Sequence, residues 1–341
     1  MAAGIIGLGA YLPEGVLSND ELAQRFGVTP QWILERTGIR QRHVTAAGQR
    51  CSDLAIEAAR RALADAQTAP DALSLIILAT STPDQPSPAS AARVQHALGA
   101  TRAGSFDLSA ACSGFMYALT LACQLVDSGQ HERILVVAAE VSSRVVDAND
   151  RDTAILFGDG AGAVVVGQLP PGYGLIASDL GSDGALYDAV GVGHADSGAR
   201  PVMHMDGWQV FGFAMRVIGD SMRRLAQKAG VALADIDLFV PHQANLRIIE
   251  AGARRIDMML EKTVISVETH GNTSAASIPL ALDQARNTGR ITDGKLIAMV
   301  GFGGGLGWAS CLMRWPGDQV RIEARGPRAS SYQHSPLPEK P

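Results

Sequence analysis

The sequence predicts an α/β protein in five alternating layers (helix, sheet, helix, sheet, helix), made of two halves that repeat one plan. Strands of buried character alternate with helices along most of the chain. The order of elements recurs. A strand near Leu78, the helix after Cys112, a strand near Val137 and a glycine loop with its strand are echoed by a strand near Phe239, the helix after Asn272, a strand near Met299 and a second glycine loop with its strand. Finally, Ala110 to Val126 is apolar almost all round. Such a helix needs cover on both sides, which two sheets supply. Identity between the halves is negligible, so the repeat is one of elements, related by a pseudo-twofold axis. The expected division is an N-terminal half at 1–168, a connecting or lid region at 169–205, a C-terminal half at 206–315 and a flexible tail at 316–341.

With 341 residues, 47% hydrophobic and 18% charged, the chain has ordinary globular composition and length for a large core. A net charge of −5 argues against a general nucleic-acid binder. The four cysteines, Cys51, Cys112, Cys123 and Cys311, have neither disulfide-framework nor zinc spacing. No signal peptide and no membrane insertion are expected, and the default compartment is cytoplasmic.

Gly4 to Ala10 reads as a strand. Its Gly7-x-Gly9 lacks a third glycine and runs into Pro13, so it is not a dinucleotide loop. Helices follow at Asp20 to Phe26 and from Pro30, a residue suited to a helix start. Trp32 and Arg36 lie four apart on one face, a pair able to stack an adenine and hold a phosphate. Cys51 to Ala66 is helical and Leu73 to Ala79 a buried strand. It enters a proline-rich loop, Thr80 to Pro88, of the kind where sites collect. After a helix at Ser90 to Leu98, the strand Gly104 to Leu108 leads to Cys112. Arg133 to Ala139 is a buried strand, Asp147 to Thr153 a polar loop with Arg151, and Phe157 to Ala163 a glycine segment before a strand at Val164 to Val166. Beyond 205, helices are expected at Val210 to Ala229, after Asn245 to Arg255, and to about Arg286. Strands are expected at Ile236 to Val240, Thr263 to Val267, Lys295 to Val300 and Trp308 to Trp315, with mostly parallel pairing.

Cys112 stands where a strand hands over to a buried helix, whose start favours an anion such as a thiolate. His242 follows a buried strand, and Asn272 precedes a helix in what reads as the mirror position of Cys112. Cys, His and Asn converging from three loops suit nucleophilic catalysis. Gly303-Gly304-Gly305 adds backbone N–H groups able to hold an oxyanion.

Four segments resemble the signatures of β-ketoacyl-acyl-carrier-protein synthase III, an initiating condensing enzyme of the thiolase fold. They are Ala111-Cys112-Ser113-Gly114-Phe115, Pro241-His242-Gln243-Ala244-Asn245, His270-Gly271-Asn272-Thr273-Ser274 and Phe302-Gly303-Gly304-Gly305. The resemblance implies a thiolase-like fold and a two-step acyl transfer. Cys112 takes an acyl group from acyl-CoA; malonyl-acyl carrier protein then loses carbon dioxide, and the enolate attacks the thioester. It implies a catalytic set of Cys112, His242 and Asn272, with an oxyanion hole from the N–H groups of Cys112 and Gly304. It also implies that the helix dipole offsets the desolvation of the thiolate.

By the same resemblance Trp32, Arg36, Thr37, Arg151 and Asn245 contact CoA. Ser87, Ser142, Phe157 and Phe302 line the acyl pocket, Ser87 from a partner subunit and Phe302 beside the nucleophile. Arg216, Arg247, Arg254 and Arg255 meet the acidic carrier protein. No metal or redox cofactor is implied, and a homodimer is.

The chain departs from the family in having Gly212 where a docking lysine is common, with Arg216 one turn on as its expected substitute. It also has Ser87 and Ser142 where larger apolar residues are common, which predicts a roomier pocket and primers beyond acetyl. The rivals are a specialised relative priming a secondary metabolite or biotin-type precursor, or one transferring acyl groups without decarboxylation. A degradative thiolase would use a second cysteine nearer the C-terminal glycine loop than Cys311, and nothing resembles a papain-like cysteine context. An inactive partner of a condensing heterodimer would have lost the nucleophile.

Overall fold

A computed structural model describes residues 2–193 and 202–324. The first sheet has the order β1 (Ala2–Tyr11), β7 (Asp159–Leu169), β6 (Arg133–Val141), β4 (Leu75–Ala79), β5 (Gly104–Leu108). The second has the order β11 (Leu238–Pro241), β12 (Leu296–Gly303), β13 (Gly307–Arg314), β8 (Gly174–Ser182). Two short antiparallel pairs stand apart, β2 (Gly15–Ser18) with β3 (Gln41–Val44) and β9 (Val190–Gly193) with β10 (Val202–Met205).

The helices fill three layers. α3 (Cys51–Asp65) and α4 (Ser90–Leu98) cover the outer face of the first sheet. α5 (Gly114–Asp127) and α10 (Ser277–Asn287) lie between the sheets, where residues from both inner faces close the central core. α7 (Gly207–Ala229) and α8 (Leu246–Arg255) cover the outer face of the second sheet. This is the five-layer, thiolase-like sandwich. It follows from α5, on which Phe115, Met116, Leu119, Ala122 and Cys123 are all buried because a sheet stands on either side. α1 (Asn19–Phe26), α2 (Pro30–Thr37) and the single turns α6 (Arg151–Ala154) and α9 (Val267–His270) surround a smaller core beside the cleft. Among the described residues no helix is long and apolar enough to cross a membrane.

Several expectations are corrected. The sheets are mixed rather than mostly parallel: only β4·β5, β4·β6 and β11·β12 run parallel. Short connections such as the glycine turn between β12 and β13 return the chain antiparallel. β8, read as part of a connecting lid, is a full strand of the second sheet paired along β13. Its glycines hid the pattern, one of them, Gly181, lying against the Trp308 ring. Residues 194–201 of that region lie outside the described residues. β7 begins at Asp159, so Gly160 and Gly162 belong to a strand; a Cβ on Gly162 would stand 2.6 Å from Pro279 of α10. The strand expected at Thr263 to Val267 reduces to one bridge, Phe239 to Thr263. Asp318–Ala324 is a helix, α11, not tail; Arg321 from it reaches Asp65 at 2.8 Å. The rest of the expected tail, 325–341, lies outside the described residues.

Candidate active site

The nucleophile candidate sits on a sharp corner. After β5 the chain makes one 3-10 turn, Ala111–Ser113, before α5 begins at Gly114. Ala111 enters it at φ +45°, a left-handed conformation uncommon outside glycine. Gly303 is packed directly on this corner: a Cβ there would stand 2.7 Å from Cys112 Cβ and 3.1 Å from its Sγ. Only glycine lets the backbone come that close. A Cβ on Gly304, the expected oxyanion donor, would stand 3.0 Å from Val190 O and 3.2 Å from Ala111 Cβ.

The second half meets this corner through Ser274. Its Oγ lies 3.4 Å from Cys112 Sγ, and its backbone N–H donates to Asn272 Oδ1 at 2.9 Å. Asn272 is fixed by its own backbone, donating to Leu156 O and accepting from Gly158 N–H, both at 2.9 Å. Arg42, fully buried and donating to Ile155 O, supports that strip from beneath. His242 leaves β11 with its N–H on Val300 O, and its Nδ1 lies 2.6 Å from Ser277 Oγ at the start of α10. Cys112, Asn272 and His242 are thus tied to one short run, Asn272 to Ser277, at the ends of both sheets.

The mirror relation is shifted from the expected one. The 3-10 turn Ser274–Ala276 before α10 matches Ala111–Ser113 before α5, and Ser274 has φ +50°. Ala275, not Asn272, is therefore the counterpart of Cys112. Asn272 corresponds to Ser109.

Electrostatics set the protonation states. Burial pushes the Cys112 thiol from 9.0 up to about 12, the contact with Ser274 opposing and Glu140 reinforcing the rise. Burial thus works against the thiolate, and the start of α5 works for it. Burial also lowers His242 to about 3, so its imidazole is neutral. Glu140, fully buried at the end of β6, is raised by burial to about 7.

Of the remaining predicted residues, some stand as expected in place and others do not. Arg36 and Arg151 both lie over the Trp32 ring, at 4.2 and 5.0 Å from its centroid. A base entering between Trp32 and Arg151 has to displace the guanidinium. Thr37 is buried, its hydroxyl donating to Ile33 O and accepting from Ile39 N–H, so it closes a helix instead of facing a ligand. Asn245 caps α8 and donates to Arg36 O at 3.2 Å.

Phe302 does not pack beside the sulfur. It joins the outer core and meets the His242 ring edge-on at 5.3 Å, because strand alternation turns Gly301 and Gly303 inward instead. Phe157 is bridged to Asn272, Ser142 is buried, and Ser87 is exposed on its loop. A cavity of about 310 Å³ opens beside the nucleophile corner, between Leu108, Ser109, Ala110 and Gly304, Gly305; none of those four acyl-pocket residues lines it. Arg216 is exposed and pairs with Asp183 at 2.9 Å. Arg247 reaches Glu35 O, and Arg254 and Arg255 are exposed on α8.

Sequence reasoning missed Glu140, Ser274, Ser277 and Arg42. Glu140 left a signal, a lone acid ending the apolar run Ile134 to Ala139. Ser274 and Ser277 stood within or beside the quoted asparagine motif. Arg42, in a short polar strand, left none.

Comparison with known proteins follows the same residues. The family model for 3-oxoacyl-[acyl-carrier-protein] synthase III matches residues 106–184, and that for its C-terminal part matches 226–315. A β-ketoacyl-[acyl-carrier-protein] synthase III of Geobacillus kaustophilus is 46% identical over 92% of this chain and 99% of its own length. The crystal structure of a 3-oxoacyl-(acyl carrier protein) synthase III from Pseudomonas aeruginosa PAO1 superposes with a TM-score of 0.88 at 43% identity, covering 93% of this chain and 99% of its own. The priming β-ketosynthase of the R1128 polyketide pathway has the same TM-score at 37% identity, covering 93% and 97%.

Proposed function

The chain belongs to the β-ketoacyl-[acyl-carrier-protein] synthase III family, and on that premise we propose which of its residues carry the reaction. The activity is an acyltransferase condensation that initiates fatty-acid synthesis. An acyl-CoA primer is transferred to a cysteine, and decarboxylation of malonyl-carrier protein supplies the carbanion that displaces it. Every step is redox-neutral.

Cys112 forms the thioester. The contact chain from its sulfur through Ser274 to Asn272, with His242 held on Ser277, is the observation that carries this reading. His242 and Asn272 donate to the malonyl thioester oxygen as it becomes an enolate. Ser277 Oγ accepts from Gln243 N–H at 3.3 Å and stands 2.6 Å from His242 Nδ1. The proposed tautomer has the Ser277 hydroxyl donating to Nδ1, so that the ring proton on Nε2 is the one offered to the enolate. The oxyanion of acyl transfer is held by backbone N–H groups at Cys112 and in the glycine turn, Gly304 among them.

CoA lies over Trp32 with Arg36 and Arg151 on its nucleotide end, and Asn245 beside the pantetheine arm. The carrier protein, acidic by nature, docks on Arg216, Arg247, Arg254 and Arg255. β5 is one of the two edge strands of its sheet and Phe106 on it is exposed, which supports a homodimer joined along that edge. Four free thiols suit a cytoplasmic enzyme.

Intact-mass measurement after incubation with mixed acyl-CoAs, then malonyl-carrier protein, tests the reading. One acyl group is expected on the wild type and none on Cys112→Ser, with carbon dioxide released as the adduct is consumed. An adduct that persists in Cys112→Ser overturns it. Ser87 and Ser142 favour primers larger than acetyl; acetyl as the sole efficient primer would sink that part. The likeness to a polyketide-priming synthase favours a second reading, a specialised priming role. An adduct discharged without carbon dioxide would instead mark simple acyl transfer.

A further inference from the structure

The thiol has no base in the assignments above. His242 is a donor, and burial opposes the ionisation that the helix start favours. The proton on Cys112 sulfur must nevertheless go somewhere when the sulfur attacks a thioester.

The hydrogen-bond directions around Ser274 name a receiver. Ser274 Oγ donates its hydrogen to Glu140 Oε1 at 3.1 Å. With that hydrogen engaged, the 3.4 Å contact to Cys112 runs from thiol to hydroxyl oxygen. Sulfur, hydroxyl and carboxylate form a single directed path, S–H to Oγ–H to Oε1. Glu140 is fully buried, and its other partners are the Thr82 hydroxyl at 2.8 Å, Ser81 N–H at 3.2 Å, the Thr80 hydroxyl at 3.5 Å and the Ala275 N–H. Among the described residues, none of these hydrogen-bond partners is a cation. The titratable groups facing it are the thiols of Cys112 and, from α3, Cys51, with Asp84 and Asp107 acting on Cys51 in turn. Asp159, a neighbour across β7, is turned away onto Thr45 and Ser143. A carboxyl buried without a counter-charge is an expensive anchor, and a glutamine could hold a loop as well. Its acidity has a use only if a proton comes to it.

We propose that Glu140, acting through the Ser274 hydroxyl, takes the Cys112 thiol proton during acylation and returns it when the product leaves. This rests on the functional reading above. As the sulfur bonds to the acyl carbon, the S–H bond breaks and its proton passes to Ser274 Oγ, whose own hydrogen passes to Glu140. The CoA thiolate departs and takes a proton from water. In the condensation step the enolate displaces sulfur as a thiolate, and Glu140 sends the proton back along the same path, restoring thiol and carboxylate. Glu140 is a positioning residue, since it reaches the sulfur only through Ser274.

The test is the single-turnover rate of acyl transfer to Cys112, followed by quenched intact-mass measurement from about pH 5.5 to 9. The wild-type rate rises through an ionisation near 7, the carboxylate being the active form. Ser274→Ala and Glu140→Gln each slow acylation about 10²-fold, and the rise near 7 gives way to a steady climb with thiol ionisation. Thermal melting checks that the variants fold; if Glu140→Gln does not, Ser274→Ala decides alone. A folded variant acylating within about threefold of wild type on an unchanged pH profile overturns the relay, as does a wild-type rate flat across that range. If the wild type takes no acyl group at all, the functional reading itself has failed.

Discussion

Ala111 and Ser274 hold the same backbone corner in the two halves, at φ +45° and +50°. Each opens a 3-10 turn that feeds a central helix, and the two turns pack against each other at the pseudo-twofold centre. Left-handed backbone at a residue with a Cβ costs about 1–2 kcal/mol. Here it aims Cys112 out of one half at Ser274 of the other.

Ala111 variants separate strain from function. Ala111→Gly removes the conformational penalty and adds chain entropy of similar size, so its denaturation midpoint stays within about 1 kcal/mol of wild type. Its acylation rate falls several-fold as the corner loosens. Ala111→Val, β-branched at positive φ, loses about 2 kcal/mol or more. Chemical denaturation and adduct formation measure the two effects separately.

Gly303→Ala tests the close approach to Cys112. The new methyl meets Cys112 Cβ at 2.7 Å, so either the glycine turn or the sulfur must move. A stability loss of about 1–3 kcal/mol is expected. Displacement of the sulfur by about 1 Å lowers acylation on the order of 10²-fold. Normal acylation in this variant would show that the turn, not the nucleophile, gives way.

Stability should fall in acid with a slope set by buried His242 and Glu140 and half-buried His270. His242 and His270 are lowered by burial to about 3 and 4. Unfolded, each binds a proton below about 6.5, so their contribution is complete above that pH and lost as pH falls. Glu140, raised by burial to about 7, acts oppositely, favouring the folded state as pH falls from 7 toward 4.5. The net slope between pH 6.5 and 4.5 is therefore near one proton, about 1.4 kcal/mol per pH unit. Glu140→Gln removes the opposing contribution and should steepen it toward two. Below 4 a further loss follows from Asp179. Burial works to raise its carboxyl, but Arg224, Trp308 and Ser221 outweigh burial and hold it at about 2. Denaturant midpoints across this range measure all four contributions.

Carrier docking should respond to charge at α7 and α8. Arg255 lies beside Arg223 over Gly219, so the cations cluster. Arg254→Glu and Arg255→Glu should raise KM for malonyl-carrier protein about tenfold with kcat little changed, and salt should shrink the difference. Gly212 is exposed with open space around its Cα. Gly212→Lys should speed carrier association at low salt; no change there would remove that face from the docking site.

The apolar all-round helix after Cys112 was enough to call for two covering sheets, because burial on every side has few architectural solutions. Cys112, His242 and Asn272 stood out for a related reason: each is a polar residue at the end of an apolar element, a local feature a sequence displays. Other elements were legible only in part. Gly160 and Gly162 read as a loop because a strand's need to admit a neighbouring helix leaves the same mark as a turn. β8 was hidden likewise. Thr37 kept the position its motif gave it, but its hydroxyl is closed within its own helix end.

What the sequence determined by itself was the order of elements, the layered class and the identity of the chemical groups. Those follow from periodicity and from residue types within a few positions of one another. What only the tertiary structure decided was which atoms meet: Ser274 with a sulfur 162 positions away and with a carboxylate 134 positions away, and Gly303 rather than Phe302 against the nucleophile. Such meetings depend on how two halves are rotated onto each other. Hydrogen-bond direction and desolvation then act over a few ångströms, a distance to which separation along the chain gives no guide.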